Sequence, residues 1–331
     1  MRDSPIHWQK ILADGFTSTQ ALLEYLHIPL ECGSPLAEAQ FKTQVPKRFA
    51  AKMEQGNPKD PLLLQVLATA KELNSPPEFS LDPLKEVTAN PIPGLIHKYA
   101  GRVLLTLTGV CAINCRFCFR RHFPYAENNP GQNGWQQAIE YIATNDSIHE
   151  VILSGGDPLL ASDTTLERLI TQLTPITHVK TIRLHSRIPV VLPERIQSHL
   201  LDIIDTQRFH VVTVLHCNHP RELDDAVRDA CVKMKTTGWT LLNQSVLLRH
   251  VNHQPETLVA LSHKLFQFGV LPYYLHLLDP VQGAHHFDIP LAQALSIYTA
   301  LQRDVPGYLL PRLVRETAGI PYKTIVSNNM L

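Results

Sequence analysis

The period of the apolar positions changes along the chain near residue 95. Before that point, stretches such as STQALLEYLHI and DPLLLQVLATAKEL repeat apolar residues three and four apart, as one buried helix face requires. Between them lie GNPKD and NSPPEFSLDPLKEVTANPIPG, whose prolines and glycines interrupt regular structure. Residues 1–95 are therefore expected to form a helical N-terminal region. After it, aliphatic and β-branched runs read as strands: RVLLTLTG, HEVILSGG, VKTIRLHS, FHVVTVLH, TLLNQSVLL and VLPYYLHLL. They alternate with GWQQAIEYIAT, TTLERLITQL, LPERIQSHLLDII, RELDDAVRDACVKMKTTG, QPETLVALSHKLFQFG and IPLAQALSIYTALQRD, all with helical spacing.

Strand then helix, repeated, implies an α/β fold with parallel pairing and right-handed crossovers. The pattern alone leaves open whether the sheet curls into a partial barrel. In either form, chemistry gathers on the loops that follow the C-terminal ends of the strands. The cysteine loop follows the first of these strands, SGGDP the second, HSR the third, HCNHP the fourth and LLDPVQG the sixth.

Composition narrows the function classes. At 331 residues and 44% hydrophobic content the chain can bury a large core, as one barrel-sized domain with an appendage or as two domains. Lys and Arg balance Asp and Glu at 30 each, and no basic run suggests a nucleic-acid partner. MRDSPIHWQKILADGF lacks a signal-peptide core, and no apolar run approaches the roughly 20 residues of a membrane helix. A soluble cytoplasmic protein with no membrane partner is expected.

Six cysteines include three packed together: Cys111, Cys115 and Cys118 in TGVCAINCRFCFRRHFPY. In a reducing compartment such a cluster points to metal rather than disulfides. The scattered Cys32, Cys217 and Cys231 read as small buried hydrophobes. A zinc centre would need a fourth ligand, His122 or a distant residue. Three thiolates on a four-iron cluster would instead leave one iron open to chelate a ligand. The 17 histidines, His216, His219, His285 and His286 among them, read as surface or satisfied core groups.

Cys-x-x-x-Cys-x-x-Cys after the first of these strands, with an aromatic before the third cysteine, resembles the radical S-adenosylmethionine signature. That resemblance implies a [4Fe–4S] cluster on Cys111, Cys115 and Cys118, with S-adenosylmethionine on the open iron. It also implies a partial (β/α)6 barrel over residues 96–305 and a cofactor loop at Gly155, Gly156 and Asp157. CRFCFRRHFPY, LSGGDPLL, HSRIPVVLPERI, NQSVLL and LPYYLHLLD with VQG are further similar to the lysine 2,3-aminomutases, over nearly the whole chain. With the helical N-terminal region, the likeness is to the short bacterial branch that serves elongation factor P.

What this second resemblance implies is specific. The chain would be an isomerase turning free L-α-lysine into β-lysine of R configuration, and it would need an electron donor. The product would pass to a separate ligase that attaches it to elongation factor P. Pyridoxal 5′-phosphate would be bound as a Schiff base to Lys323 in ETAGIPYKT, within a C-terminal segment of residues 306–331 that carries fewer glycines than the family's. Arg120 would take the substrate α-carboxylate. Asp279 and Glu316 would hold the ε-ammonium, Glu316 standing where lysine-degrading members carry Asp. Tyr99 and Arg102 would lie near pyridoxal phosphate, and Ser186, Arg187, Asn243 and Gln244 near either cofactor. On residue type alone, Arg120 could instead pair with Glu127. Two other functions stand beside this one: an aminomutase for another amino acid such as glutamate, whose anionic side chain Asp279 and Glu316 would repel, and a non-catalytic zinc-stabilised binding protein.

Overall fold

Nine strands lie side by side in sequence order: β1 (Leu95–Tyr99), β2 (Arg102–Thr108), β3 (Glu150–Gly155), β4 (Thr181–Ser186), β5 (His210–His216), β6 (Thr240–Val246), β7 (Leu271–His276), β8 (Arg312–Arg315) and β9 (Thr324–Ile325). The computed structural model describes residues 7–86, 89–125, 128, 131–204 and 206–327. Strands β2 to β8 are parallel, while β1 and β9 add to the two edges in antiparallel sense. The strands read from the sequence are β2 to β7. The sheet extends beyond them because β1 forms a tight hairpin with β2 through Gly101 at φ +76°, a turn that favours glycine. It also continues past residue 305: β8 pairs with β7, and β9 returns on β8. Four residues between Pro311 and Glu316 are too short to be read as a strand without a neighbour to pair with.

Alternation sets the two faces. In β4, Ile182 and Leu184 are buried on one face while Arg183 and His185 on the other face line a central cavity. Residues of β1 to β7, with Glu316 and Lys323, line this one cavity, so the sheet curves round it as a partial barrel.

The crossovers carry the helices α6 (Gly131–Ala143), α7 (Asp163–Leu173), α8 (Ile188–Val191), α9 (Ser198–Ile203), α10 (Asp225–Thr236), α11 (Pro255–Gln267) and α12 (Leu291–Asp304). Helix α7 shows why they form where they do. Ser162 caps its N-terminus, accepting from Thr165 N, and Leu166, Leu169, Ile170 and Leu173 make one buried stripe. Each such side chain stabilises the packing by about 1.5–3 kcal/mol. In α10 the same spacing buries Val227, Ala230, Cys231 and Met234, so Cys231 is a core side chain.

Two segments with helical spacing are broken. LPERIQSHLLDII divides into a single turn at Pro193–Arg195 and α9, because Arg195 turns inward to donate to the carbonyls of Leu159 and Ala161. DPLLLQVLATAKEL divides into α5 (Pro61–Leu64) and a turn at Ala70–Leu73. Between them Gln65 is buried and its carbonyl accepts from Arg116 N at 2.9 Å.

The N-terminal region adds helices α1 (His7–Ala13), α2 (Thr19–Tyr25), α3 (Pro35–Gln40) and α4 (Lys47–Ala50), and Leu22 of α2, Phe49 of α4 and Leu62 of α5 join one apolar cluster with Leu105 and Val151 of the sheet. A charge cluster fastens the same junction. Glu72 and Arg116 have fully buried side chains, and Arg121 nearly so. Arg116 reaches the Glu72 carboxylate at 2.6 Å and Arg121 at 2.7 Å, the two arginines flanking Phe117 and Cys118 of the cysteine loop. Breaking a buried pair leaves an uncompensated charge and costs about 3–5 kcal/mol. Glu72→Gln should therefore lower the thermal midpoint by on the order of 5 °C. A calorimetric scan with an unchanged midpoint would deny this cluster its anchoring role.

Candidate active site

At the C-terminal ends of the strands the sheet encloses a cavity of about 380 Å³. The loop after β2 brings Cys111, Cys115 and Cys118 onto one wall, all three free and part-buried. The Arg187 guanidinium donates to Cys115 Sγ at 2.7 Å and is itself held by Gln65 Oε1 at 2.7 Å and Glu222 Oε2 at 3.0 Å. Burial raises the Cys111 thiol well above its ordinary pKa, with Cys118 charge adding to it, and burial with Cys115 charge pushes Cys118 to about 11. Three thiolates can coexist here only against a strongly cationic partner. Among the described residues no three His, Cys, Asp or Glu side chains gather tightly enough for a single ion as they stand. His122 bonds the Gln282 carbonyl at 3.2 Å and lies outside the cavity wall. The donor set, three sulfurs and an adjoining guanidinium on an open cavity, fits a polynuclear iron–sulfur group.

The loop after β3 packs directly on the start of the cysteine loop. Gly156 N donates to Thr108 O at 2.7 Å and Asp157 N to Val110 O at 2.9 Å. A Cβ on Gly155 would sit 2.4 Å from Thr108 O, and one on Gly156 2.3 Å from Val110 O. Both glycines line the cavity, yet the close approach that demands them is to the neighbouring backbone. Asp157 ties the next loop: it accepts from Ser186 Oγ at 2.7 Å, Arg187 N at 2.7 Å and Ile188 N at 3.2 Å. Burial pushes its carboxyl up to about 6 against those bonds. Asp157 and Ser186 thus hold each other and fix two loops.

Lys323 lies on the opposite side, where Nζ meets Glu316 Oε2 at 2.5 Å across the β8–β9 hairpin. One glycine, Gly319 at φ +82°, turns that hairpin. Glu316 also accepts from Tyr99 OH at 2.9 Å and Lys98 Nζ at 3.2 Å. Against the opposing effect of burial, Lys323 and Lys98 hold its carboxyl well below the usual range. Asp279 lines the same cavity but makes no ion pair among the described residues. Burial, then the negative charge of Glu316, pushes it up to about 7.

Arg120 is side-on to Glu86, with Nε at 2.6 Å from Oε2 and Nη2 at 2.9 Å from Oε1, and its Nη1 donates to Ser154 Oγ at 3.1 Å. Glu127, the other candidate partner, lies outside the described residues. Lys98 bridges Glu86 at 3.0 Å and Glu316 at 3.2 Å. Arg102 stacks on the Tyr99 ring at 4.7 Å and pairs with no carboxylate among the described residues. Gln244 faces the cavity, as does His216, whose ring stacks on Phe117. Asn243 points to the other side of β6, where its amide donates to Cys217 O and Ser245 Oγ. The strand's alternation separates Asn243 from Gln244, so Asn243 does not line the cavity.

The cavity thus gathers the three cysteines, Gly155, Gly156, Asp157, Ser186, Arg187 and Gln244 with Tyr99, Arg102, Arg120, Asp279, Glu316 and Lys323. Sequence reasoning missed Glu86 and Lys98, and placed Ser154 only within the SGGDP loop, not against Arg120. Glu86 stands in a proline-rich stretch that reads only as an interruption of regular structure, and Lys98 sits unmarked beside Tyr99. Only the fold brings them to Arg120 and Glu316.

Residues 105–256 match the model of the Radical SAM superfamily. The L-lysine 2,3-aminomutase of Haemophilus influenzae is 47% identical over 321 residues, 96% of this chain and 95% of its own. That of Escherichia coli is 48% identical over 320 residues, covering 96% of this chain and 93% of its own. Among solved structures, a radical SAM methyltransferase from Sphaerobacter thermophilus aligns over 68% of this chain and 71% of its own, with 15% identity and a TM-score of 0.46. Family membership implies a [4Fe–4S] cluster with S-adenosylmethionine, which the cysteine wall suits. The chain is an isomerase and belongs to the L-lysine 2,3-aminomutase family of radical SAM enzymes.

Proposed function

We propose that this enzyme uses pyridoxal 5′-phosphate at Lys323 to convert free L-α-lysine into (R)-β-lysine, which a separate ligase attaches to elongation factor P. The observation that carries the reading is one cavity with three thiols on one wall, a lysine on the other and a cation–anion pair of recognition groups between them. When bound, the cluster with S-adenosylmethionine, fed by an electron donor, supplies a hydrogen-abstracting radical, and pyridoxal phosphate supplies a π system through which an amino group can migrate.

The chain's own residues define the ligand. Arg120 presents a guanidinium suited to an α-carboxylate, which a lysine within a peptide lacks. Asp279 and Glu316 offer two carboxylates to a distal ammonium and would repel the side chain of glutamate. Glu316, held ionised by Lys323 and Lys98, faces Lys323 Nζ at 2.5 Å and fixes where that amine sits in the cavity. Arg102, stacked on Tyr99 and paired with no carboxylate among the described residues, suits a phosphate. Arg120, Glu316 and Lys323 are largely buried, so each of these charges acts more strongly than it would in solution.

Anaerobic incubation with free lysine, S-adenosylmethionine, pyridoxal phosphate and a reductant tests the reading. It should yield (R)-β-lysine on chiral chromatography, and elongation factor P from a deletion strain should lack the β-lysyl mass increment. Absence of product sinks the activity, and an unchanged increment sinks the pathway.

Borohydride trapping of the loaded enzyme, followed by peptide mapping, should fix the pyridoxyl group on Lys323. A label on Lys98 or Lys264 instead would refute the assignment.

Asp279 gives a pH-dependent test. Its carboxyl titrates near 7 in the fold against 3.8 as a free group, so the unfolded chain ionises first. Stability is then lost as pH rises from about 4 and the loss is complete above about 7. Asp279→Asn should melt higher than the parent at pH 8, with the gap closing toward pH 5. The same variant should bind lysine at least tenfold more weakly by calorimetry. Parental lysine affinity would remove Asp279 from the ammonium site.

A further inference from the structure

Glu86 lies outside the barrel strands, in the segment leading to β1, yet its side chain is 5% exposed and reaches the cavity. Its two oxygens take the Nε–Nη2 edge of Arg120 at 2.6 and 2.9 Å, while Lys98 closes on Oε1 at 3.0 Å. Ser154 Oγ restrains Arg120 from the Nη1 side at 3.1 Å. A guanidinium has two edges able to fork onto a carboxylate: the side-on Nε–Nη2 edge and the end-on Nη1–Nη2 edge. With the first filled, only the second is left for a ligand.

We infer that Glu86 is a positioning residue for the substrate: by filling the side-on edge of Arg120 it leaves one direction of approach for the α-carboxylate. Through Lys98 it also joins Arg120 to Glu316, so the carboxylate and ammonium ends of the pocket are held at a fixed separation. The inference rests on the proposed role of Arg120. Charge bookkeeping favours positioning over simple binding. Arg120 and Lys98 carry two positive charges against one on Glu86, so this end still attracts an anion when the carboxylate is removed. What is lost is direction, and small misplacements of a reacting group lower rate far more than affinity.

Glu86→Gln keeps size and one acceptor oxygen but removes the charge-assisted fork. Its kcat should fall at least tenfold, while lysine affinity measured by calorimetry on the cofactor-loaded, unreduced enzyme changes less than threefold. Iron and pyridoxal content should stay at the parental level. Glu86→Asp, which keeps the charge one methylene short, should lose kcat by a smaller factor, again at near-parental lysine affinity. It carries the test if the glutamine variant does not fold. A parental kcat in either variant overturns the inference. So does a lysine affinity lowered tenfold with kcat unchanged, which would make Glu86 part of binding. Arg120→Gln serves as the separate control: it should weaken lysine at least tenfold but leave 1,5-diaminopentane, which has no carboxylate, within threefold. If it binds lysine normally, the reading of Arg120 fails, whatever Glu86 does.

Discussion

Everything at the cysteine wall depends on a carboxylate that water never touches. Glu72 takes Arg116 and Arg121 inside the protein, and all three side chains are within about 1% of complete burial. Charges so placed are tolerable only together, since each alone would carry a desolvation cost of several kcal/mol. The arginines belong to the loop that holds the cysteines, and the glutamate belongs to the helical region before the barrel. A barrel lacking that region would leave two guanidiniums unmatched beside Phe117 and Cys118. Gln65 makes a second link from the same region, reaching Arg187 and Glu222 behind Cys115.

Across the cavity the same rule works in a longer chain. Arg120, Glu86, Lys98, Glu316 and Lys323 alternate in sign, each in contact with the next. Alternation lets five charges sit in a partly dry space without any one being stranded. Asp279 is the exception: among the described residues it has no ion-pair partner, and burial with the charge of Glu316 raises its pKa. The pocket is thus balanced along one line and short of a cation at one point. This is a common condition of ligand sites, which give up stability where a ligand is to supply the missing partner.

The strand–helix alternation was legible because it reports burial. In β4, period-two patterning separates Ile182 and Leu184 from Arg183 and His185, and in α7 Leu166, Leu169, Ile170 and Leu173 repeat as a helix face should. The cysteine loop was legible because spacing alone carries its chemistry. Glu72 and Glu86 were not, because their partners Arg116 and Arg120 stand 44 and 34 residues away, and nothing local distinguishes a buried acid from a solvated one. Strands β1, β8 and β9 were missed for a related reason: they are short, and their extended form is imposed by the strands they pair with. The helix expected across Gln65 failed where a buried amide and carbonyl found better partners than the next turn.

Strand β9 has a thermodynamic consequence. It is two residues long and is held by the pairs Val314–Ile325 and Arg315–Thr324 at the last position of the sheet. An edge element of that size opens locally at a small fraction of the free energy needed to open the central strands, so its amides should exchange with solvent long before those of β4 or β5. The ion pair between Glu316 and Lys323 spans this same hairpin. Any molecule that binds those two side chains only when the hairpin is closed must shift its opening equilibrium by the full difference in affinity. Slowed amide exchange at the last strand is thus the thermodynamic counterpart of occupancy in the cavity.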